Sequence, residues 1–153
     1  SDCLASKGVM FTRIKLSEHP DATIDVYNTH MEAGGSKEED AMRLEQFEHI
    51  LKLMETHSKG RAVIVMGDTN LRLNDPQDVP AILKLNKEGG MVDSCEATDC
   101  KEPNHIDRFH FRSGDKITLK ADKWTRELGF VDDKGADLSD HPAISTAFSW
   151  SIK

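Results

Sequence analysis

No stretch of this sequence approaches the ~20 apolar residues that a helix needs to cross a bilayer, so no helical membrane span is expected. No signal-peptide pattern opens it; it starts at Ser1, and an N-terminus set by processing is the expectation. Internal repeats, low-complexity tracts and linker-like stretches are missing too, which argues against a solenoid and against a division into domains. Positive charge is in deficit: 20 Lys and Arg stand against 27 Asp and Glu, a formal net charge of −7. An acidic surface does not draw nucleic acid non-specifically. It does not exclude a nuclease, because a bound cation and a local basic patch can carry phosphate contacts. Arg108, Arg112, Lys116, Lys120 and Lys123 are candidates for such a patch, with a solvated strand face as the plainer reading. Cysteine is scarce. Cys3, Cys95 and Cys100 offer no second close pair, so no zinc site is expected. Cys95 and Cys100 can close a small disulfide loop, which would leave one thiol over and imply an oxidising compartment; two free thiols are the alternative. No hairpin of exposed aromatics argues for insertion into a membrane, Trp124 and Phe130 being the only candidates.

What is present fits one globular domain: 153 residues, 37% apolar and 31% charged, enough for a real core and too few for two. Val9 to Leu16 reads as a strand and Ile24 to Met31 as the next, with a turn around Pro20. Ile24 and Val26 alternate with Asp25 and Tyr27, the period of a half-buried strand. Ser36 and Glu39 form a capping box ahead of Leu44, Phe47, Ile50, Leu51 and Met54 at helical spacing. Residues 62–66 are apolar without alternation, which suits a strand covered on both faces. A short helix is expected from Val79 to Lys87, ended by Gly89-Gly90. Ile106 to Arg112 reads as a strand, with Ile117 to Ala121 as its hairpin partner across Ser113-Gly114-Asp115. A polar loop, Gly129 to Asp137, leads to a final strand ending at Ile152. Strand, helix and buried strand in this order define an α/β layer.

Three strand ends carry polar clusters: Asn28-Thr29-His30, Gly67-Asp68-Thr69-Asn70 and, ahead of the last strand, Ser139-Asp140-His141-Pro142. Asp68 and Asn70 share a side if the extended geometry continues. An acid and an amide together can hold a water or metal and a phosphate oxygen; the same four residues also make a good turn. Asp140 has a competing role too, as a cap for the turn before Pro142. Asp107 shares a strand face with Phe109 and Phe111, a costly place for a carboxylate unless it is paired. A histidine is the natural partner, fixing a dyad in which the acid sets the imidazole tautomer. His30 is a candidate acid or phosphate contact. His19, His49, His57, His105 and His110 carry no usable spacing.

Taken in order, these segments with Ile106-Asp107-Arg108 resemble the endonuclease/exonuclease/phosphatase superfamily, the group of deoxyribonuclease I, exonuclease III, bacterial sphingomyelinases and inositol-polyphosphate 5-phosphatases. The resemblance runs from Lys7 to Trp150, in the manner of bacterial secreted members. It implies a four-layered α/β sandwich, two packed mixed sheets with helices outside. It implies Asp140 as a ligand of a catalytic Mg²⁺, with Mn²⁺ or Ca²⁺ as alternatives, and His141, oriented by Asp107, as the group that activates or positions water. By the same resemblance Asp68 and Asn70 orient nucleophile and phosphate and can touch a second metal, and His30 stabilises the phosphate or protonates the leaving oxygen. The logic is metal-assisted hydrolysis. Family members also carry an Asn and a Glu on earlier strands, and nothing before Val9 supplies either. The chain is therefore expected to be a C-terminal portion of the domain, with a partial sandwich completed by a preceding segment or by self-association. The expected function is a divalent-metal-dependent phosphodiesterase or nuclease, secreted or periplasmic, acting on nucleic acid, a phospholipid headgroup or an inositol phosphate. The alternative is a non-catalytic binding module that keeps the fold without a complete metal site.

Overall fold

The computed structural model describes residues 7–153, so Cys3 lies outside the described residues. Strand β1 (Val9–Leu16) pairs antiparallel with β2 (His19–His30). The second strand starts at His19 rather than Ile24, because Leu16 pairs with His19 directly after the turn. Pro20 is accommodated in the irregularity that follows, where no ladder N–H is needed. Helix α1 (Lys37–His57) begins as expected: the Ser36 hydroxyl accepts from the Glu39 N–H, and the Glu39 carboxylate accepts from the Ser36 N–H. It returns the chain to β3 (Ala62–Asp68), parallel to β2. Helix α2 (Val79–Gly89) has Pro80 in its first turn and Gly90 in the left-handed conformation at its end. A short strand β4 (Val92–Asp93) and one helical turn α3 (Ser94–Ala97) follow, neither expected from the sequence. Strands β5 (Asp107–Arg112), β6 (Ile117–Arg126) and β7 (Ile144–Ile152) complete the chain.

The strands form a five-stranded mixed sheet, order β1-β2-β3-β5-β4, and a two-stranded sheet, β6-β7. The expected hairpin between the strands at 106–112 and 117–121 is not formed. β5 pairs with β3, and β6 pairs with β7. The reason lies in the connection. Gly114 sits so close to Ala62 that a Cβ would fall 2.4 Å from the Ala62 nitrogen, and the Asp115 N–H donates to the Gly60 carbonyl at 2.7 Å. The turn is thus pinned to the start of β3, and the chain leaves for the second sheet instead of folding back on β5.

Alternation sorts the core into two clusters. Tyr27, Val63 and Val65 pack under α1 and α2 with Phe47, Ile50, Met54, Ile82 and Leu85. Ile24, Ala62 and Phe111 face the other way, against Ile117, Leu119 and Ala121 of β6 and Phe148 of β7. β3 is therefore covered on both faces, as its unbroken apolar run required. The result is three layers, helix–sheet–sheet, a partial form of the expected α/β sandwich. Met10 and Ile14 on the edge strand β1 are largely exposed, as are Trp150 and Ile152 of β7. Asp25 in the helix-side layer is paired on both oxygens: fully buried, it accepts two bonds from Arg13 at 2.7 and 3.0 Å and one from the Ser58 hydroxyl at 2.6 Å.

His110 of β5 is also fully buried. Its Nδ1 meets Asn86 Oδ1 at 2.9 Å, and its Nε2 has no partner. Burial pushes its pKa down from 6.5 to about 4; nearby Asp93 opposes the shift and Arg108 reinforces it. The unfolded chain therefore takes up this proton first. Stability should be intact above the unfolded pKa and should fall as pH drops from about 6.5 towards 4, by up to ~3 kcal/mol from this group. Urea unfolding midpoints across that range should show the slope in the native protein and a flatter one in His110→Gln; equal slopes would exonerate His110.

Candidate active site

Strand register builds the site. β2 and β3 run parallel with His30 opposite Asp68, and β3 and β5 run antiparallel with Asp68 opposite Asp107. Three polar side chains from three strands thus end up in one row at the end of the sheet. The loop before β7 brings His141 to the same place. Its Nδ1 lies 2.8 Å from Asp107 Oδ2 and its Nε2 3.9 Å from Asp68 Oδ2; His30 Nε2 lies 3.4 Å from that same Asp68 oxygen. A carboxylate only accepts, so the Nδ1–H of His141 donates to Asp107, and Nε2 is presented towards Asp68. The hydrogen bond to Asp107 raises the His141 pKa above 6.5. Burial opposes this, and the charges of Asp107, Asp68 and Asp140 add to it.

Backbone geometry holds Asp68 in place. Gly67 has φ +124°, and a Cβ there would lie 1.9 Å from the Thr29 carbonyl oxygen, so only glycine lets β2 and β3 approach this closely. β3 ends at Asp68, and Asn70 is left-handed at φ 51°. The extended geometry expected for Asp68 and Asn70 therefore does not continue. Instead the Asn70 N–H donates to Asp68 Oδ1 at 2.8 Å and its amide Nδ2 donates to the Met31 carbonyl at 3.1 Å. The turn reading and the site reading of Gly67-Asp68-Thr69-Asn70 hold together: the turn fixes one Asp68 oxygen and leaves the other facing two imidazoles. Thr69 ties this loop to β5, its N–H and hydroxyl both reaching the Ile106 carbonyl at 2.9 and 2.8 Å.

Of the six residues singled out in the sequence, His30, Asp68, Asn70, Asp107 and His141 converge. Asp140 stands beside them, exposed, its Oδ1 accepting from the Ser139 hydroxyl at 3.4 Å. Ligand atoms of Asp68, Asp107 and His141 lie within 4.8 Å of one another. Two carboxylates suit a hard cation such as Mg²⁺, which keeps several waters and completes its shell with substrate phosphate. The donor chemistry therefore fits a divalent cation, with Asp107 the less available ligand because His141 already engages it. An open cleft of about 390 Å³ adjoins the dyad, walled by Asn28, Met66, Phe109, His141, Pro142 and Ile144. Asn28 and Ser139 belong to the polar clusters marked in the sequence but carry no individual role there, and His105 has no usable spacing. Asn28 had a signal, two residues before His30 on the same strand.

The proposed basic patch is not formed. Arg108 is buried, alternating onto the face opposite Asp107, where it donates to Asp93 Oδ2 at 2.7 Å, the Pro103 carbonyl at 3.0 Å and the Leu71 carbonyl at 3.3 Å. Arg112 donates to the carbonyls of Gly89 and Ser58. Both arginines are internal ties, and only Lys116, Lys120 and Lys123 remain exposed. Cys95 and Cys100 are joined by a disulfide, with their Cα atoms 4.8 Å apart.

A mixed α/β sandwich with carboxylates and histidines gathered at the strand ends is the deoxyribonuclease-I-like architecture. Residues 1–96 match the Endonuclease/Exonuclease/phosphatase family 2, and the chain belongs to this family. It is 32% identical over 159 residues to the sphingomyelinases of Mycobacterium bovis and Mycobacterium tuberculosis, covering 94% of this chain and 31% of those proteins. The chain thus spans about a third of the length of these curated relatives. Among solved structures, humanized D. rerio TDP2 superposes with a TM-score of 0.68 at 20% identity, over 94% of this chain and 58% of that one. An endonuclease/exonuclease/phosphatase from Beutenbergia cavernae gives 0.67 at 15%, over 92% and 38%. Staphylococcus aureus beta toxin gives 0.60 at 19%, over 92% and 57%, and a mutant of that toxin carries bound magnesium ions.

Replacing Gly67 with alanine should push β2 and β3 apart at the point where His30 and Asp68 emerge. A loss of at least ~2 kcal/mol is expected, beyond the usual cost of a strained backbone alone. The urea midpoint measures it; an unchanged midpoint would show that the strands need not approach this closely.

Proposed function

We propose that this chain carries the phosphate-binding and proton-handling half of a divalent-metal-dependent phosphodiesterase. The observation that carries the reading is the convergence of His30, Asp68 and the Asp107–His141 dyad at the ends of three strands and one loop. Asp107 holds the imidazole of His141 by its Nδ1–H, so that Nε2 is the end presented to a water or phosphate oxygen. Asp68, fixed by the Asn70 N–H, orients what lies between the two imidazoles. His30, the most exposed member, is placed to donate to a phosphoryl or leaving-group oxygen. A cation held by Asp68 and Asp140, with Asn70 beside them, would neutralise charge developing on the phosphoryl oxygens.

Within this class a phospholipid headgroup is favoured over nucleic acid. The net charge is −7, and Arg108 and Arg112 are spent on internal hydrogen bonds rather than offered to a polyanion. The segment leading into His141 exposes Leu128, Phe130 and Leu138 at 78%, 61% and 64%, apolar side chains open to a lipid partner. The relatives at 32% identity are sphingomyelinases. The Cys95–Cys100 disulfide fits an oxidising compartment, in keeping with secretion. No helix among the described residues is long and apolar enough to cross a membrane.

The test is a substrate panel, with and without Mg²⁺, on the longest natural form of the protein: sphingomyelin vesicles, plasmid DNA, RNA, inositol phosphates and bis-p-nitrophenyl phosphate. Hydrolysis should require the cation and be fastest on the vesicles. His141→Ala should lower turnover ~10²–10⁴-fold, and Asp140→Ala should abolish the heat of Mg²⁺ binding. Near-normal turnover by His141→Ala would remove that residue from the mechanism. A well-folded protein with no metal-linked signal would support the binding module instead.

A further inference from the structure

The contacts of the dyad extend beyond it. His105, which no step above uses, sits at the far end of a run of alternating acids and imidazoles that starts at His30 and passes through Asp68, His141 and Asp107. Its side chain is 11% exposed. Its Nδ1 is buried without a hydrogen-bond partner and lies 3.9 Å from Asp107 Oδ2, the same oxygen that receives His141. Its Nε2 lies 3.7 Å from Glu102 Oε2, which pairs with Arg126 at 3.1 Å. The ring meets Trp124 edge to face, with centroids 5.6 Å apart. The backbone on either side is fixed, because the His105 N–H donates to the Glu102 carbonyl at 3.2 Å and the Ile106 carbonyl is clamped by Thr69.

We propose that His105 is a positioning residue for Asp107, holding the carboxylate in line with His141. Both ring nitrogens face a carboxylate oxygen, but Glu102 Oε2 is already engaged by Arg126, so the ring proton is placed on Nδ1, towards Asp107. A buried donor without an acceptor is costly, a pull that small rotations of either side chain satisfy. Catalytic hydrogen bonds are often long in the unliganded state and tighten on loading. A carboxylate held by one imidazole can pivot about that bond; a second donor on the same oxygen, anchored by Trp124, removes the freedom. The inference rests on reading Asp107 and His141 as the dyad of the proposed reaction.

Two measurements decide it. Imidazole ¹⁵N–¹H correlation spectra of the chain should show a proton on His105 Nδ1 whose resonance moves in Asp107→Asn. A proton confined to Nε2 would overturn the proposal, and this readout needs no activity. Kinetically, His105→Phe keeps a ring against Trp124 and removes both nitrogens. It should lower kcat ~10–100-fold, the usual range for a residue supporting an active group, with KM and the thermal midpoint unchanged. His105→Asn places an amide donor where Nδ1 was and should recover much of the loss. Native kcat in His105→Phe, or a loss that His105→Asn fails to recover, would overturn the assignment. Should His105→Phe not fold, His105→Asn against His105→Ala gives the same comparison. Should the native protein hydrolyse nothing, the proposed function fails, while the spectra still judge His105.

Discussion

Two carboxylates face each other across neighbouring strands, Asp68 on β3 and Asp107 on β5, and everything at this end of the molecule answers to that pairing. Like charges directly opposite in a sheet repel. At the separation seen here the cost is ~3 kcal/mol in a surface-like dielectric. The surroundings offset it with donors: the Asn70 N–H on one Asp68 oxygen, the imidazoles of His30 and His141 towards the other, and His141 again on Asp107. The pairing concentrates negative potential at one point, a setting whose chemistry suits a hard cation and hydrogen-bond donors. Fold and site are thus coupled through hydrogen-bond register. A slip of one residue between β3 and β5 would move every apolar side chain of β5 to the wrong face and part the two acids at once.

Much of this was legible in the sequence. The capping box at Ser36 and Glu39, the two-sided burial of residues 62–66 and the need of Asp107 for a histidine all follow from local chemistry, and each is found. Local chemistry is silent on which strand pairs with which. Residues 117–121 alternate correctly for a hairpin with β5, yet they pair with β7, because the deciding contacts join Gly114 and Asp115 to Gly60 and Ala62, far away in the sequence. The short β4 and α3 have too few residues to show any period. Arg108 and Arg112 look like surface charge in the sequence, since an arginine declares its burial only through partners from remote loops.

The site was partly legible for a related reason. Strand-end acids and histidines can be seen one at a time, each with an equally good structural explanation. Their convergence was implied by family resemblance and is supplied here by register. His105 gave no signal at all. Its environment is made by Trp124 on another sheet and Glu102 on a preceding turn, so no spacing rule reaches it.

Arg108 has a consequence for how the chain can vary. One buried guanidinium joins the loop after β3, through Leu71, to the approach to β5, through Pro103, and both to the cap of α3, through Asp93. Its fork spans three acceptors in fixed directions, a geometry that the single ammonium of a lysine does not reproduce. Loops tied to one such hub cannot lengthen independently. Insertions should accordingly be easier to accept in the excursion between Leu128 and Leu138, which closes on itself through the Val131–Asp137 bridge, than in the two tethered connections, so diversity among sequences sharing this scaffold should accumulate at the rim and spare the floor of the cleft.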